Sequence, residues 1–200
     1  MAFSLSPDFL KSAQKATQFP ADSGREVAFA GRSNSGKSTA LNAITARRRL
    51  ARTSKTPGRT QLINFFALEE TCRLVDLPGY GYAKVAEAVR RQWRVLLEDY
   101  FRDRRSLSGL FITVDVRRGL NDLDQVMLSW SRAAKVPAAV LLTKADKLSR
   151  NAARQRQRQI AVTAPEDVPL ILFSAPGHQG LEQAREQLLA WLDKTDDKAR

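Results

Sequence analysis

Three short stretches of the chain carry residue types whose spacing suits the handling of a nucleotide. Gly31-Arg32-Ser33-Asn34-Ser35-Gly36-Lys37-Ser38 fits G-x-x-x-x-G-K-[ST]. In that pattern, glycines let the backbone wrap so that successive N–H groups point at phosphate oxygens. A helix opening at its end would add N-terminal positive charge. Lys37 then reaches β- and γ-phosphates, and the Ser38 hydroxyl is a ligand for Mg²⁺. An ordinary Gly/Ser turn is the plain alternative. Asp76-Leu77-Pro78-Gly79 ends an apolar run. At a strand end on the same rim, Asp76 would hold Mg²⁺ directly or through water, and Gly79 would offer its N–H to a γ-phosphate. A simple turn is again the alternative, and the upstream loop weighs against it. Thr143-Lys144-Ala145-Asp146 ends another strand-like run. There Asp146 could accept from guanine N1–H and the N2 amino group, a donor pair adenine lacks. The Lys144 stem would lie along the base or the phosphate loop.

These residues need a frame. Glu26–Ala30 reads as a buried strand and Lys37–Ala46 as a helix through Leu41 and Ile44. Arg47–Thr60 reads as a long exposed loop, uncommon in compact domains unless it works. Gln61–Leu68 and Cys72–Leu77, separated by three residues, suggest a hairpin. Val85–Arg104 has helical spacing, with Val89, Trp93, Leu96, Leu97, Tyr100 and Phe101 on or near one stripe, its aromatics more in keeping with core than with base stacking. Strands at Leu110–Val116, Ala138–Thr143 and Leu170–Phe173 alternate with helices at Leu120–Ala134, Ser149–Val162 and Leu181–Leu192. That alternation points to an α/β fold with a mostly parallel sheet, one antiparallel edge strand and helices on both faces. Residues 1–24 read as a lead-in that opens a short helix at Ser6-Pro7-Asp8. Residues 25–192 form one domain, and 193–200 a polar tail.

Composition narrows the classes. The chain has 200 residues, 43% of them hydrophobic, enough for one core. No apolar run reaches the roughly 18–20 residues that cross a bilayer, and Met1–Pro20 lacks a signal-like apolar block, so a cytoplasmic protein is expected. The one cysteine, Cys72, reads as a plain buried thiol, and the one histidine, His178, as a loop residue; together they exclude a disulfide and a histidine-based metal site. Lys and Arg number 33 against 21 Asp and Glu, a net charge of +12, which attracts polyanions, nucleic acid first among them.

With the three stretches in this order, the chain resembles translation-factor-class P-loop GTPases, and within them the EngB (YihA/YsxC) family of bacterial ribosome-assembly GTPases. The resemblance rests on GRSNSGKS, KTPGRTQLINFF (55–66), DLPGYGYAKV (76–85), LLTKADKL (141–148) and the FSA of Phe173–Ala175, and runs from about Phe19 to Leu192. It implies a P-loop GTPase fold and GTP hydrolysis at a low intrinsic rate. It also implies a role as a switch in assembly of the large ribosomal subunit, and thereby in normal septation. A GTP-regulated protein switch acting directly in cell division is the alternative. The expected partners are GTP and GDP, and an assembly intermediate of rRNA and ribosomal proteins, met by a monomer that binds no membrane.

The resemblance also assigns residues. Lys37, Thr60 and Gly79 would serve turnover, and Ser38, Thr60 and Asp76 would hold Mg²⁺, with Thr56 a rival to Thr60 that spacing does not separate. Nucleotide contacts would run through Gly31, Arg32, Ser33, Asn34, Ser35, Gly36, Lys37 and Ser38, then Gly58, Arg59, Thr60, Gln61 and Leu62. They would continue at Asp76, Leu77, Pro78 and Gly79, and close around the base with Thr143, Lys144, Ala145, Asp146, Phe173, Ser174 and Ala175. Thr143 stands where wider GTPases carry Asn, and Tyr80 where Ras-like enzymes carry the water-orienting glutamine. Asn34 is the residue type that helps hold K⁺ against the phosphates in related GTPases; a loop-stabilising role is the alternative. Two arginine-rich sets, Arg47 to Arg59 and Arg90 to Arg105, are the expected rRNA contacts.

Overall fold

A computed structural model describes residues 6–47, 50, 62–69, 71–81 and 87–193. The elements begin with β1 (Asp8–Ala13), β2 (Arg25–Gly31), α1 (Lys37–Ile44), β3 (Ile63–Glu69) and β4 (Cys72–Asp76). They continue with α2 (Glu87–Asp103), β5 (Leu107–Asp115), α3 (Asp122–Ala133), β6 (Ala138–Thr143), α4 (Arg150–Ala161), β7 (Leu170–Leu172) and α5 (Leu181–Leu192). A 3₁₀ turn at Ala145–Lys147 follows β6.

The described strands form one sheet in the order β1-β3-β4-β2-β5-β6-β7. β4, β2, β5, β6 and β7 run parallel, whereas β3 pairs antiparallel with both β1 and β4. All nine residues of β5 are buried, as a central parallel strand covered on both faces requires. On one face, α1 and α5 pack Leu41, Ile44, Leu188 and Trp191 onto Phe29 and Phe111. On the other, α2, α3 and α4 bring Leu97, Tyr100, Met127, Leu128 and Ile160 onto Ala28, Leu110 and Val140. Of the α2 stripe expected to be core, Leu96, Leu97, Tyr100 and Phe101 are buried, while Val89 and Trp93 are half-buried.

The short helix expected from Ser6-Pro7-Asp8 does not form. β1 occupies that segment and pairs with β3 from Asp8–Ala67 to Ala13–Ile63. An edge of unpaired β3 N–H and C=O groups outweighs a local helix-opening signal. The Phe9 ring meets Phe66 edge-on at 5.9 Å, and the Ser12 hydroxyl donates to Asn64 Oδ1 at 2.6 Å. The expected hairpin is present as β3 and β4. Helix α1 stops two residues short of Ala46, whose φ of 53° lies in the left-handed region. Strand β5 starts at Leu107 rather than Leu110, because Ser108 and Gly109, turn-like in sequence, continue the ladder beside β2. A Cβ at Gly109 would lie 2.3 Å from the Trp191 ring, so the glycine makes room for α5.

Candidate nucleotide site

The carboxyl ends of β2, β4, β6 and β7 share one rim, where parallel α/β sheets place ligands. β2 ends at Gly31, and the next residues turn into α1, whose N-cap is Gly36 at φ 96°. Only glycine takes that conformation without strain. At Gly31 the constraint is space: a Cβ would come within 2.1 Å of Thr113 Oγ1 and 2.6 Å of Ser35 Oγ.

The hydroxyls of Thr113 and Thr143 brace the loop from behind. Thr113 Oγ1 donates to the Ala30 carbonyl at 3.1 Å, so in its 2.7 Å contact with Ser35 Oγ the serine is the donor. Thr143 Oγ1 bonds to the Ser35 carbonyl and lies 3.1 Å from the Val114 carbonyl. Thr143 is buried. Its hydroxyl is thus engaged by backbone of the loop and of β5 rather than turned toward a base.

Lys37 opens α1 and its ammonium contacts the Asp76 carboxylate at the end of β4; both side chains are 10% exposed. Ser38, in the first helical turn, is half-buried beside them. The Ser38 hydroxyl and the Asp76 carboxylate are hard oxygen donors of the kind Mg²⁺ takes. After Asp76, Leu77 N–H donates to the Phe29 carbonyl and Tyr80 N–H to the Gly31 carbonyl, while the Tyr80 carbonyl accepts from Ser33 N–H. Those bonds hold Pro78-Gly79 against the loop, and a Cβ at Gly79 would sit 3.6 Å from Ser33.

Tyr80 itself turns into the protein. Its hydroxyl donates to Asp124 Oδ1 on α3, and both residues are buried. Burial first, then the neighbouring Asp124 charge, pushes the Tyr80 phenol well above its ordinary range. Burial also raises the Asp124 carboxyl, against the pull of the Tyr80 hydroxyl and the Asn121 N–H.

On the far side of the loop, Lys144 adopts φ 59° and donates to the Asn34 carbonyl at 2.7 Å. It lies 3.0 Å from Asp115, which also accepts Arg117 Nε and Nη2 at 2.9 and 2.7 Å. The Arg117 hydrogen bonds hold the Asp115 carboxyl far below its usual range. Asn34 has φ 64°, a conformation asparagine tolerates better than most residues, and it is exposed at the rim. Beyond Lys144, Ala145 N–H donates to the Phe173 carbonyl, tying the 3₁₀ turn to the end of β7. Ser174 Oγ donates to Asp146 Oδ1 at 2.8 Å and holds that carboxyl below its ordinary value. Ala175 follows, partly exposed, and His178 is an exposed loop residue at φ 51°. Cys72 is a buried thiol.

The fold therefore brings together Gly31 to Ser38, Asp76 to Gly79, Thr143 to Asp146 and Phe173 to Ala175. Leu62 precedes β3 and is half-buried. Gly58, Arg59, Thr60, Gln61 and the rival Thr56 lie outside the described residues. Thr113, Asp115 and Asp124 are the additions to the residues read from sequence. A threonine inside an otherwise apolar buried strand was the available signal for the first of them.

Residues 26–144 match the family described as 50S ribosome-binding GTPase. A probable GTP-binding protein EngB of Nitrosococcus oceani is 53% identical, over 90% of this chain and 92% of its own. Its counterpart in Histophilus somni is 52% identical, over 92% and 91%. A crystal structure of a probable GTP-binding protein EngB superposes with TM-score 0.66 at 21% identity, covering 84% of this chain and 98% of that one. Aquifex aeolicus Era bound to GDP and aluminium fluoride gives TM-score 0.62 at 18% identity, covering 86% and 58%. The structural likenesses carry the P-loop GTPase fold; the sequence relationships go further, and by them the chain belongs to the 50S ribosome-binding GTPase family and, within it, to the EngB-type GTP-binding proteins.

Proposed function

We propose that this GTP-binding protein is a Mg²⁺-dependent GTPase of low intrinsic rate that works as a switch in assembly of the large ribosomal subunit. The observation that carries the nucleotide chemistry is the convergence of Lys37, Ser38, Asp76, Gly79 and Asp146 on one rim. The backbone N–H groups of 31–38 would cradle the phosphates. Lys37 would exchange the Asp76 carboxylate for β- and γ-phosphate oxygens. Ser38 and Asp76, with Thr60, would hold Mg²⁺, which when bound offsets charge on the β- and γ-phosphates. Gly79 would give its N–H to the γ-phosphate. Asp146 would pair with the guanine N1–H and amino group, and the Ala175 N–H would meet its O6 from the Phe173-Ser174-Ala175 turn.

The low rate follows from Tyr80. With its hydroxyl anchored on buried Asp124, it would not be free to orient an attacking water. A K⁺ held near Asn34 would supply the missing positive charge, so turnover should rise when Na⁺ is replaced by K⁺. Equal rates in the two salts would leave Asn34 with its loop role alone.

The ribosomal part rests on the family relationship and the charge of +12. It is tested by co-sedimentation with large-subunit particles in GDP and in a non-hydrolysable GTP analogue. Retention that depends on the nucleotide is expected, with septation affected indirectly through ribosome supply. Retention on a division protein with none on ribosomal particles would overturn it in favour of direct action in division. The protein is expected to act as a monomer in the cytoplasm, and no helix among the described residues is long and apolar enough to cross a membrane.

A further inference from the structure

Helix α4, RNAARQRQRQIA, has no acidic residue. Its two inward polar side chains are accounted for by the fold. Arg156 donates to the Val116, Arg117 and Arg118 carbonyls, and Gln157 to the Leu170 carbonyl. The outward ones are not. Arg150, Arg154 and Arg158 are exposed, four residues apart, and none makes an ion pair with a described residue. Asn151, Gln155 and Gln159 form a parallel exposed row at the same spacing. Gln159 is pinned by accepting Arg156 Nη1 at 3.0 Å through its carbonyl, which leaves its NH₂ free to donate. Of the two carboxylates just past the helix, Glu166 is exposed and makes no ion pair with a described residue, and Asp167 is held by Arg132 at 2.5 Å.

This arrangement works against the helix that carries it. A cation in the first turn opposes the helix dipole, and like charges four apart repel. A solvated helix face ordinarily mixes signs, and this one does not. At about 1.5 Å rise per residue, successive arginines stand about 6 Å apart, comparable with neighbouring phosphates on one strand. The apolar residues of α4, Ala153 and Ile160, face the core, and Val162 just past its end is a lone exposed aliphatic side chain, so no apolar face is left to enter a lipid surface.

We infer that the outward face of α4 docks on RNA, its arginine row on phosphates and its amide row on ribose 2′-hydroxyls in a shallow minor groove. The inference rests on the ribosomal reading only for its choice of polyanion, and its residues are other than those of the two arginine sets, 47–59 and 90–105, read from the sequence. The test is the salt dependence of binding to a duplex RNA of about 20 base pairs. The full chain is compared with Arg150→Gln/Arg154→Gln/Arg158→Gln, with GTP affinity as the folding control. The triple variant should show a slope shallower by about 2–3. The matching Arg→Lys triple should keep the slope. Asn151→Ala/Gln155→Ala/Gln159→Ala should keep the slope but lose any preference for RNA over DNA of the same sequence. An unchanged slope in the Gln triple overturns the inference, as does a loss confined to anionic vesicles. Large-subunit co-sedimentation of the unaltered chain separates the two readings. If it fails while α4 still sets the RNA slope, the ribosomal reading falls alone. If it succeeds while the Gln triple keeps the full slope, α4 falls alone.

Discussion

Lys37 and Asp76 are a pair of nearly enclosed charges, which the proposed site would require to part when phosphate enters. Lys37→Ala removes the cation and leaves a carboxylate facing the phosphates. Charge-assisted hydrogen bonds contribute about 1.5–3 kcal/mol, so GTP affinity should fall roughly tenfold to more than a hundredfold. Thermal stability should hold, because little core is lost; normal GTP binding by the folded variant would remove Lys37 from the phosphate site. Across the rim, Asp146→Asn should turn the base preference from guanine to xanthine, whose 2-carbonyl accepts the new amide's hydrogen. Competition binding with guanosine and xanthosine triphosphates reads this directly, and unchanged guanine selectivity would mean Asp146 does not read the base. The Ser174 hydrogen bond lowers the Asp146 carboxyl below 3.8. A depressed carboxyl keeps its charge above the unfolded value and loses it only as pH falls through the folded one. Guanine affinity should therefore be insensitive to Asp146 titration between about pH 5 and 8.

At the scale of elements, the Tyr80–Asp124 contact ties the turn after β4 to the first turn of α3. Asp124 is also part of the cap there: Asn121 Oδ1 accepts from Leu123 and Asp124 N–H at 2.9 and 3.2 Å, and Asp124 Oδ2 accepts from Asn121 N–H at 2.9 Å. Tyr80→Phe leaves one carboxylate oxygen buried without its donor, a loss of about 1–3 kcal/mol. The sign with pH follows from burial. A carboxyl raised by folding detracts from stability above its folded pKa and ceases to do so below its unfolded one. Removing the hydroxyl raises it further, so denaturation should show a larger deficit at pH 7 than at pH 4; a deficit that grows on acidification would contradict this. Tyr80 was legible in sequence only as the absence of a glutamine, since its partner lies 44 residues away on another element. The same limit explains β1. Its pairing is decided by a β3 edge that no local pattern near Pro7 announces. The phosphate loop, Asp76, Asp146 and the alternation of strands with helices were legible because their signals are local. Thr143 was legible as a departure, but its use as a brace for the Ser35 carbonyl depends on the approach of β6 to the loop.

Across the whole molecule, the end of the sheet away from the nucleotide rim is held by ions. Glu26 is fully buried and accepts from Arg73 Nε at 2.6 Å, Arg104 Nη2 at 2.5 Å and Nε at 2.9 Å, and the Tyr100 hydroxyl at 3.2 Å. It joins β2, β4 and α2 to the segment that follows α2. Glu26→Gln would strand two buried guanidinium groups, and breaking a buried pair costs about 3–5 kcal/mol. For a chain of this size the melting temperature should drop by about 6–20 °C. GTP affinity should change little, since β2 separates the network from the start of the phosphate loop by about 17 Å. Loss of GTP binding at temperatures where the variant is still folded would show that the two ends communicate. The opposite face carries a different consequence. Trp191 packs at a tilt against Phe111, with ring centroids 4.7 Å apart, and covers Gly109, both on the central strand. Helix α5, the last among the described residues, thus seals the middle of the sheet. A nascent chain displays its phosphate loop early, gains the Asp146–Ser174 turn much later, and leaves the side of Phe29 and Phe111 that α1 does not cover open until α5 has left the exit tunnel. A premature stop before α5 would yield a product with a recognisable loop and an open core, a form that cellular quality control clears rather than one that competes with the finished switch.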